Sequence, residues 1–130
     1  MSKRILIADD DAEMREEVSE ILRSEGYEAW TAGDGMEAMR LIRQEGIPLV
    51  ILDLKMPVMT GYDVLRQIKS ENIPAKVVVV TASLMDVEYP GETGIVPAKE
   101  MEILNSAEAV IKKPFGIMRL LDTIKQIETT

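Results

Sequence analysis

Val50-Ile51-Leu52-Asp53-Leu54-Lys55-Met56-Pro57 is the stretch on which the reading of this chain turns. An apolar run from Leu49 to Leu52 delivers one carboxylate, Asp53, to its C-terminal end, and a proline soon follows. A run of this kind predicts a strand buried on both faces of a parallel sheet. Burying an unpaired carboxylate is costly. In an open α/β sheet, however, ligands bind at the C-terminal ends of the strands. Asp53 is therefore expected to be a reaction centre if other charged groups reach the same edge.

The flanking sequence supplies such groups. Ile5-Leu6-Ile7-Ala8 predicts a first buried strand, and Asp9-Asp10-Asp11 ends it. Met14, Val18, Ile21 and Leu22 then fall at helical spacing, with Asp11 as N-cap and Gly26 as stop. Glu28 to Ala32 predicts a second, weaker strand; Asp34 caps a helix whose inner stripe is Ala38, Met39 and Ile42, ending near Gly46. Pro48 opens the third strand, and Thr60 caps a helix carrying Val64, Leu65 and Ile68 inward, broken by Asn72 to Pro74. Val77 to Val80 is the plainest strand, with Thr81 at its end. Leu84 to Pro97 holds Pro90, Gly91, Gly94 and Pro97, so one regular helix cannot span it. Pro97 is placed in the first turn of a helix running through Met101 and Leu104 to about Ser106. Ala109 to Lys112 predicts the fifth strand, Lys113-Pro114 follows, and Ile117, Leu120, Leu121, Ile124 and Ile127 make an amphipathic last helix.

Strands thus alternate with helices, which implies right-handed crossovers and a mainly parallel sheet with helices on both faces. Every strand but the second ends in a polar group, so Asp9, Asp10, Asp53, Thr81 and Lys113 should converge on one edge. Each alone has a plainer reading: a helix cap for Asp9 to Asp11, a strand residue for Thr81, a surface charge for Lys113. Four independent turn residues need not share a sheet edge, and that joint placement carries the functional reading. Clustered carboxylates repel, and a hard cation such as Mg²⁺ relieves this best. Asp9, Asp10 and Asp53 would supply its ligands, with the backbone carbonyl of Lys55 in reach of the same ion. A carboxylate can also act as nucleophile toward a phosphoryl group and form an acyl phosphate. Lys113 and Thr81 would then stabilise the transferring group by charge and hydroxyl.

Composition bounds the alternatives. The chain has 130 residues, 46% apolar and 29% charged, as expected of one globular domain over 1–130. A net charge of −8 argues against contact with nucleic acid, which normally needs a basic surface. With no cysteine and no histidine, thiolate chemistry, zinc sites and Ser-His or Cys-His catalysis are excluded. The absence of disulfides, of a leader and of a long apolar segment predicts a soluble cytoplasmic protein with no membrane contact. The nine methionines fall mostly at helical core spacing, and Trp30 and Phe115 are expected to be partly buried anchors.

From Ile5-Leu6-Ile7-Ala8-Asp9-Asp10-Asp11 through Leu52-Asp53-Leu54-Lys55-Met56-Pro57 and Val80-Thr81-Ala82 to Lys112-Lys113-Pro114-Phe115, the chain resembles the receiver domain of two-component response regulators. Asp34-Gly35 and Gly61 also stand where that family usually has such residues. The resemblance implies a flavodoxin-like doubly wound sheet of five parallel strands in the order 2-1-3-4-5, similar to the chemotaxis response-regulator fold. It implies Asp53 as phosphoacceptor, Asp9 and Asp10 as the acidic pair holding Mg²⁺, Thr81 as switch hydroxyl and Lys113 as the lysine at the phosphoryl group. The phosphoryl donor would be a sensor histidine kinase. The domain would catalyse its own phosphotransfer and autodephosphorylation, then change conformation to regulate a downstream protein or output domain.

Two features depart from the family pattern. The segment over 82–108, where the fourth helix is expected, is longer than usual and rich in proline and glycine. The aromatic expected three positions before the lysine is replaced by Val110, which removes Thr–aromatic coupling in its usual form. They motivate a second reading: an interaction module acting through the 84–108 region independently of phosphorylation, with the fourth-helix face a candidate homodimer contact. A metal-dependent phosphohydrolase would need a second carboxylate just after the nucleophile, and Lys55 stands there instead. Lys55 and Ser83, two residues beyond Asp53 and Thr81, would flank the phosphoryl group and tune its hydrolysis.

Overall fold

The computed structural model describes residues 3–82 and 102–128. Five strands, β1 (Arg4–Ala8), β2 (Glu28–Ala32), β3 (Leu49–Asp53), β4 (Lys76–Thr81) and β5 (Ala109–Lys112), form one sheet in the order β2-β1-β3-β4-β5. Every pairing is parallel, as the continuous apolar runs require. Helices α1 (Ala12–Ser24), α2 (Gly35–Glu45) and α3 (Gly61–Ser70) follow the first three strands, and a last helix spans Ile117–Glu128.

Alternation along the strands sorts the core into two layers. Leu6, Val50, Leu52, Val77 and Val79 point to one face, where Met39 and Ile42 of α2 and Val64, Leu65 and Ile68 of α3 cover them. Ile5, Ile7, Ile51, Val78 and Val80 point to the other, under Val18 and Leu22 of α1 and Leu120, Leu121 and Ile124 of the last helix. Each such aliphatic side chain withdrawn from water contributes roughly 1.5–3 kcal/mol. That burial makes the central strands the rigid floor of the molecule.

The helix starts follow their local chemistry. Asp11 accepts hydrogen bonds from the backbone of Glu13 and Met14, and Asp34 accepts one from Glu37. Thr60 and Asp63 form a reciprocal capping box at α3. α2 stops on Gly46 in the left-handed conformation. Trp30 and Phe115 are half-buried, one against each layer, as expected of anchors. The methionines divide: Met39 and Met56 are core residues, but Met36 and Met118 are exposed. Helical spacing marks a face, and the first and last turns of a helix extend past what covers that face.

Residues 102–104 are helical, within the helix expected from Pro97 to Ser106. The rest of that expectation up to residue 101, the proline- and glycine-rich run, Ser83 and most of the 84–108 region lie outside the described residues. Val110 sits on β5 opposite Val79 and is 43% exposed.

Gly61, the first residue of α3, joins that helix to the strand that carries Asp53. Its amide donates to the Leu54 carbonyl at 3.0 Å, and its Cα lies against the Asp53 carbonyl so closely that a Cβ would overlap it. Gly61→Ala must push α3 away from the end of β3. The expected cost is about 1–3 kcal/mol, as for other overpacked core sites. Urea denaturation measures it; an unshifted midpoint would contradict the packing described.

Candidate functional site

β1, β3 and β4 deliver their C-terminal residues to the same edge of the sheet, and the loop after β5 adds a cation. Asp9, Asp10, Asp11, Asp53, Lys55, Thr81, Ala82 and Lys113 line a cleft of about 230 Å³ there. Asp9, Asp10, Asp53, Lys55, Thr81 and Lys113, each expected at this edge, are therefore neighbours. Asp9, Asp53 and Thr81 are buried, Asp10 and Lys55 are exposed, and Lys113 is half-buried.

Asp9 is the most constrained of them. It is 1% exposed, and both carboxylate oxygens are engaged. Oδ1 accepts from the Asp11 amide at 2.9 Å, and Oδ2 accepts from Lys113 Nζ at 2.9 Å. The same Nζ lies 3.6 Å from Asp53 Oδ2, so one ammonium stands between two buried carboxylates. The Lys113 amide donates to the Thr81 carbonyl at 2.6 Å, which fixes the loop after β5 against the end of β4. Asp53 Oδ1 accepts from the Lys55 amide at 3.3 Å. Among the described residues, Asp9, Asp10 and Asp53 form a group whose nearest carboxylate oxygens all lie within 4.8 Å of one another.

The electrostatics follow from this crowding. Burial pushes the Asp53 carboxyl up to about 6, and the Asp9 charge pushes in the same direction. Lys113 and the Lys55 amide pull it down without cancelling the rise. For Lys113, burial acts to lower the pKa. The hydrogen bond to Asp9 and the Asp53 and Asp9 charges outweigh it and leave the ammonium's pKa raised. One lysine is thus an incomplete counterion for three carboxylates. An all-oxygen donor set with surplus negative charge suits a hard divalent cation.

The comparisons with known proteins agree with this geometry. Residues 5–125 match the family model of the response regulator receiver domain. The chain belongs to that family. Among curated relatives it is 38% identical over 125 residues to the transcriptional regulatory protein PdtaR of Mycobacterium tuberculosis, covering 95% of this chain and 55% of that protein. The DNA-binding response regulator MtrA of Mycobacterium leprae is 32% identical, with 96% of this chain and 51% of MtrA covered. This receiver chain thus spans about half the length of these two relatives. Sporulation initiation phosphotransferase F of Bacillus subtilis, by contrast, is matched over 94% of its length at 31% identity. Among solved structures, a CheY-like receiver domain from Methanospirillum hungatei superposes with a TM-score of 0.80 at 30% identity, covering 97% and 93% of the two chains. The response regulator TrrA of Thermotoga maritima, solved in complex with Mg²⁺ and BeF, gives 0.75 at 31% identity, covering 95% and 97%. Membership in this receiver family places the chain in two-component signalling by phosphorylation. No helix among the described residues is long and apolar enough to cross a membrane.

Sequence reading missed Arg15, which donates from Nη1 to the Asp9 backbone carbonyl at 2.7 Å. Its signal in the sequence is one more charge on an acidic helix, indistinguishable from the solvated Glu13, Glu16, Glu17 and Glu20 around it.

The raised Asp53 pKa predicts a pH dependence. Without a divalent cation, the folded protein holds a proton between pH about 4 and 6 that the unfolded chain has released. Stability then falls as pH rises through that window and levels off above it. A two-unit shift corresponds to about 3 kcal/mol, reduced to on the order of 2 by water in the open cleft. Asp53→Asn removes this penalty, so the variant should be more stable than the parent at pH 7 and closer to it at pH 4. Thermal melts in EDTA at both pH values test this, and an Asp53→Asn variant less stable at pH 7 would refute it.

Proposed function

We propose that this chain is a phosphorylation-dependent signalling receiver in which Asp53 accepts a phosphoryl group from the phosphohistidine of a sensor kinase. The single observation that carries the reading is the Asp53 carboxylate at a sheet edge, 3.6 Å from Lys113 and grouped with Asp9 and Asp10. Family membership supports it, since receiver domains of response regulators take phosphoryl groups from histidine kinases.

In this reading a carboxylate oxygen of Asp53 bonds to phosphorus as the phosphorus–nitrogen bond to the donor imidazole breaks. The imidazole leaves with the electron pair and takes up a proton. Lys113 balances the negative charge on the phosphoryl oxygens, and Thr81 offers its hydroxyl from the facing strand end. Asp9, Asp10 and Asp53, with the backbone carbonyl of Lys55, would hold Mg²⁺. Bound there, the ion would neutralise the carboxylates and polarise the phosphoryl oxygens. Hydrolysis by water returns Asp53 to the free carboxylate.

The acting unit is the single domain 1–130, working in the cytoplasm on a downstream protein or an output domain. Val110, exposed on β5, supports a second reading in which that side of the domain meets a partner, or a second copy, whether or not Asp53 is phosphorylated.

Incubation with acetyl phosphate and Mg²⁺ should add one phosphoryl mass to the intact protein, lost in EDTA and in Asp53→Asn. No gain under conditions that label other receivers would overturn phosphoacceptance and favour the second reading. The exposed Lys55 lines the cleft mouth and shields the acyl phosphate from water. Lys55→Asn should therefore shorten the lifetime of the phosphorylated protein severalfold; an unchanged rate would remove Lys55 from this role.

A further inference from the structure

Asp10 is the one exposed member of the acidic group. Asp9 is locked through its carboxylate, whereas Asp10 owes its direction to the peptide plane that links it to Asp9. Two bonds fix the backbone on either side of Asp9. Its amide donates to the Ala32 carbonyl at the end of β2, at 3.1 Å. Its carbonyl accepts from Arg15 Nη1 at 2.7 Å. The Asp9 carbonyl belongs to the Asp9–Asp10 peptide, and a peptide is planar. Holding that oxygen therefore sets where the Asp10 backbone starts and where its carboxylate can go.

Arg15 reaches the carbonyl from the first turns of α1, and the loop after β2 makes room for it. The guanidinium lies along Gly33, whose Cα carries no side chain. A Cβ there would come within 3.1 Å of Nη1 and 3.6 Å of Cζ. Gly33 thus serves as a shelf for the guanidinium.

We propose that Arg15 is a positioning residue for the divalent cation site: through the Asp9 carbonyl it orients Asp10, and Gly33 keeps it in place. This rests on the reading of Asp9, Asp10 and Asp53 as that site. The two possible roles of Arg15 have opposite signs. As a nearby positive charge alone, it would oppose cation binding, and its removal would tighten the site. As the anchor of the Asp9–Asp10 peptide, it favours binding, and its removal loosens the site. Groups that orient metal ligands typically change affinity by about 10–100-fold when removed; one that acts through a single peptide belongs at the low end.

The experiment is calorimetric titration of Mg²⁺ into the parent, Arg15→Met, Arg15→Lys, Gly33→Ala and Asp10→Asn proteins, with thermal melts of each. Arg15→Met should weaken Mg²⁺ binding about 10-fold. Arg15→Lys, which retains a donor of similar reach, should recover most of the loss. Gly33→Ala, which displaces the guanidinium without touching it chemically, should weaken binding by a smaller factor of about 2–5. Labelling by acetyl phosphate should be slower in Arg15→Met at low Mg²⁺ and return to the parental rate at saturating Mg²⁺. A merely structural role would depress the saturating rate and the melting midpoint together. Parental or tighter Mg²⁺ affinity in Arg15→Met, with a parent that binds through Asp10, overturns the role of Arg15 alone. A parent that takes no Mg²⁺, or binds it equally well as Asp10→Asn, overturns the cation site and this role with it.

Discussion

Repulsion between carboxylates at the C-terminal edge of the sheet is the constraint on which the rest of this structure depends. Asp9 and Asp53 are both buried, and among the described residues Lys113 is the cation that stands between them. In a low-dielectric setting such an arrangement is unfavourable unless it is hydrogen-bonded and held. The surrounding structure does the holding. The Asp11 and Lys55 amides donate to the carboxylates, and the Lys113 backbone is bonded to the end of β4. What stays unbalanced is the raised pKa of Asp53, and perturbed values of that kind cluster at functional sites.

The fold supplies the stiffness this requires. Strands buried on both faces cannot slide without exposing a layer of core, so the ends of β1, β3 and β4 keep their register. α3 is seated on the strand that carries Asp53 through a glycine contact that leaves no slack. The loop between them contains Val58, an exposed β-branched residue with φ of 69°, a conformation such residues seldom adopt. Backbone strain of this sort gathers near functional sites because the surrounding packing over-determines it. Here it lies in the loop that also carries Lys55.

Much of this was readable from the chain itself. Five apolar runs and their amphipathic partners implied a mainly parallel sheet and a shared edge once right-handed crossovers were assumed, whereas the order 2-1-3-4-5 came from the resemblance to the receiver family. Asp9, Asp10, Asp53, Lys55, Thr81 and Lys113 were each placed at that edge by their position at, or just beyond, the end of a strand. Arg15 was not readable, because a lone arginine among surface glutamates has no periodic signature. The exposure of Met36 and Met118 escaped notice for a related reason: spacing reports which side of a helix a residue is on, and not where the neighbouring element stops.

The sequence by itself determined the elements, their alternation and the gathering of charge at one end of the sheet, because burial period and capping chemistry are local properties of the chain. Only the tertiary structure decided which oxygen meets which nitrogen. Lys113 reaches Asp9 across 104 residues, and Arg15 finds the Asp9 carbonyl only because α1 lies against the end of β2 at Gly33. Those distances, and the desolvation that lifts the Asp53 pKa, come from packing between distant segments. No local pattern encodes them.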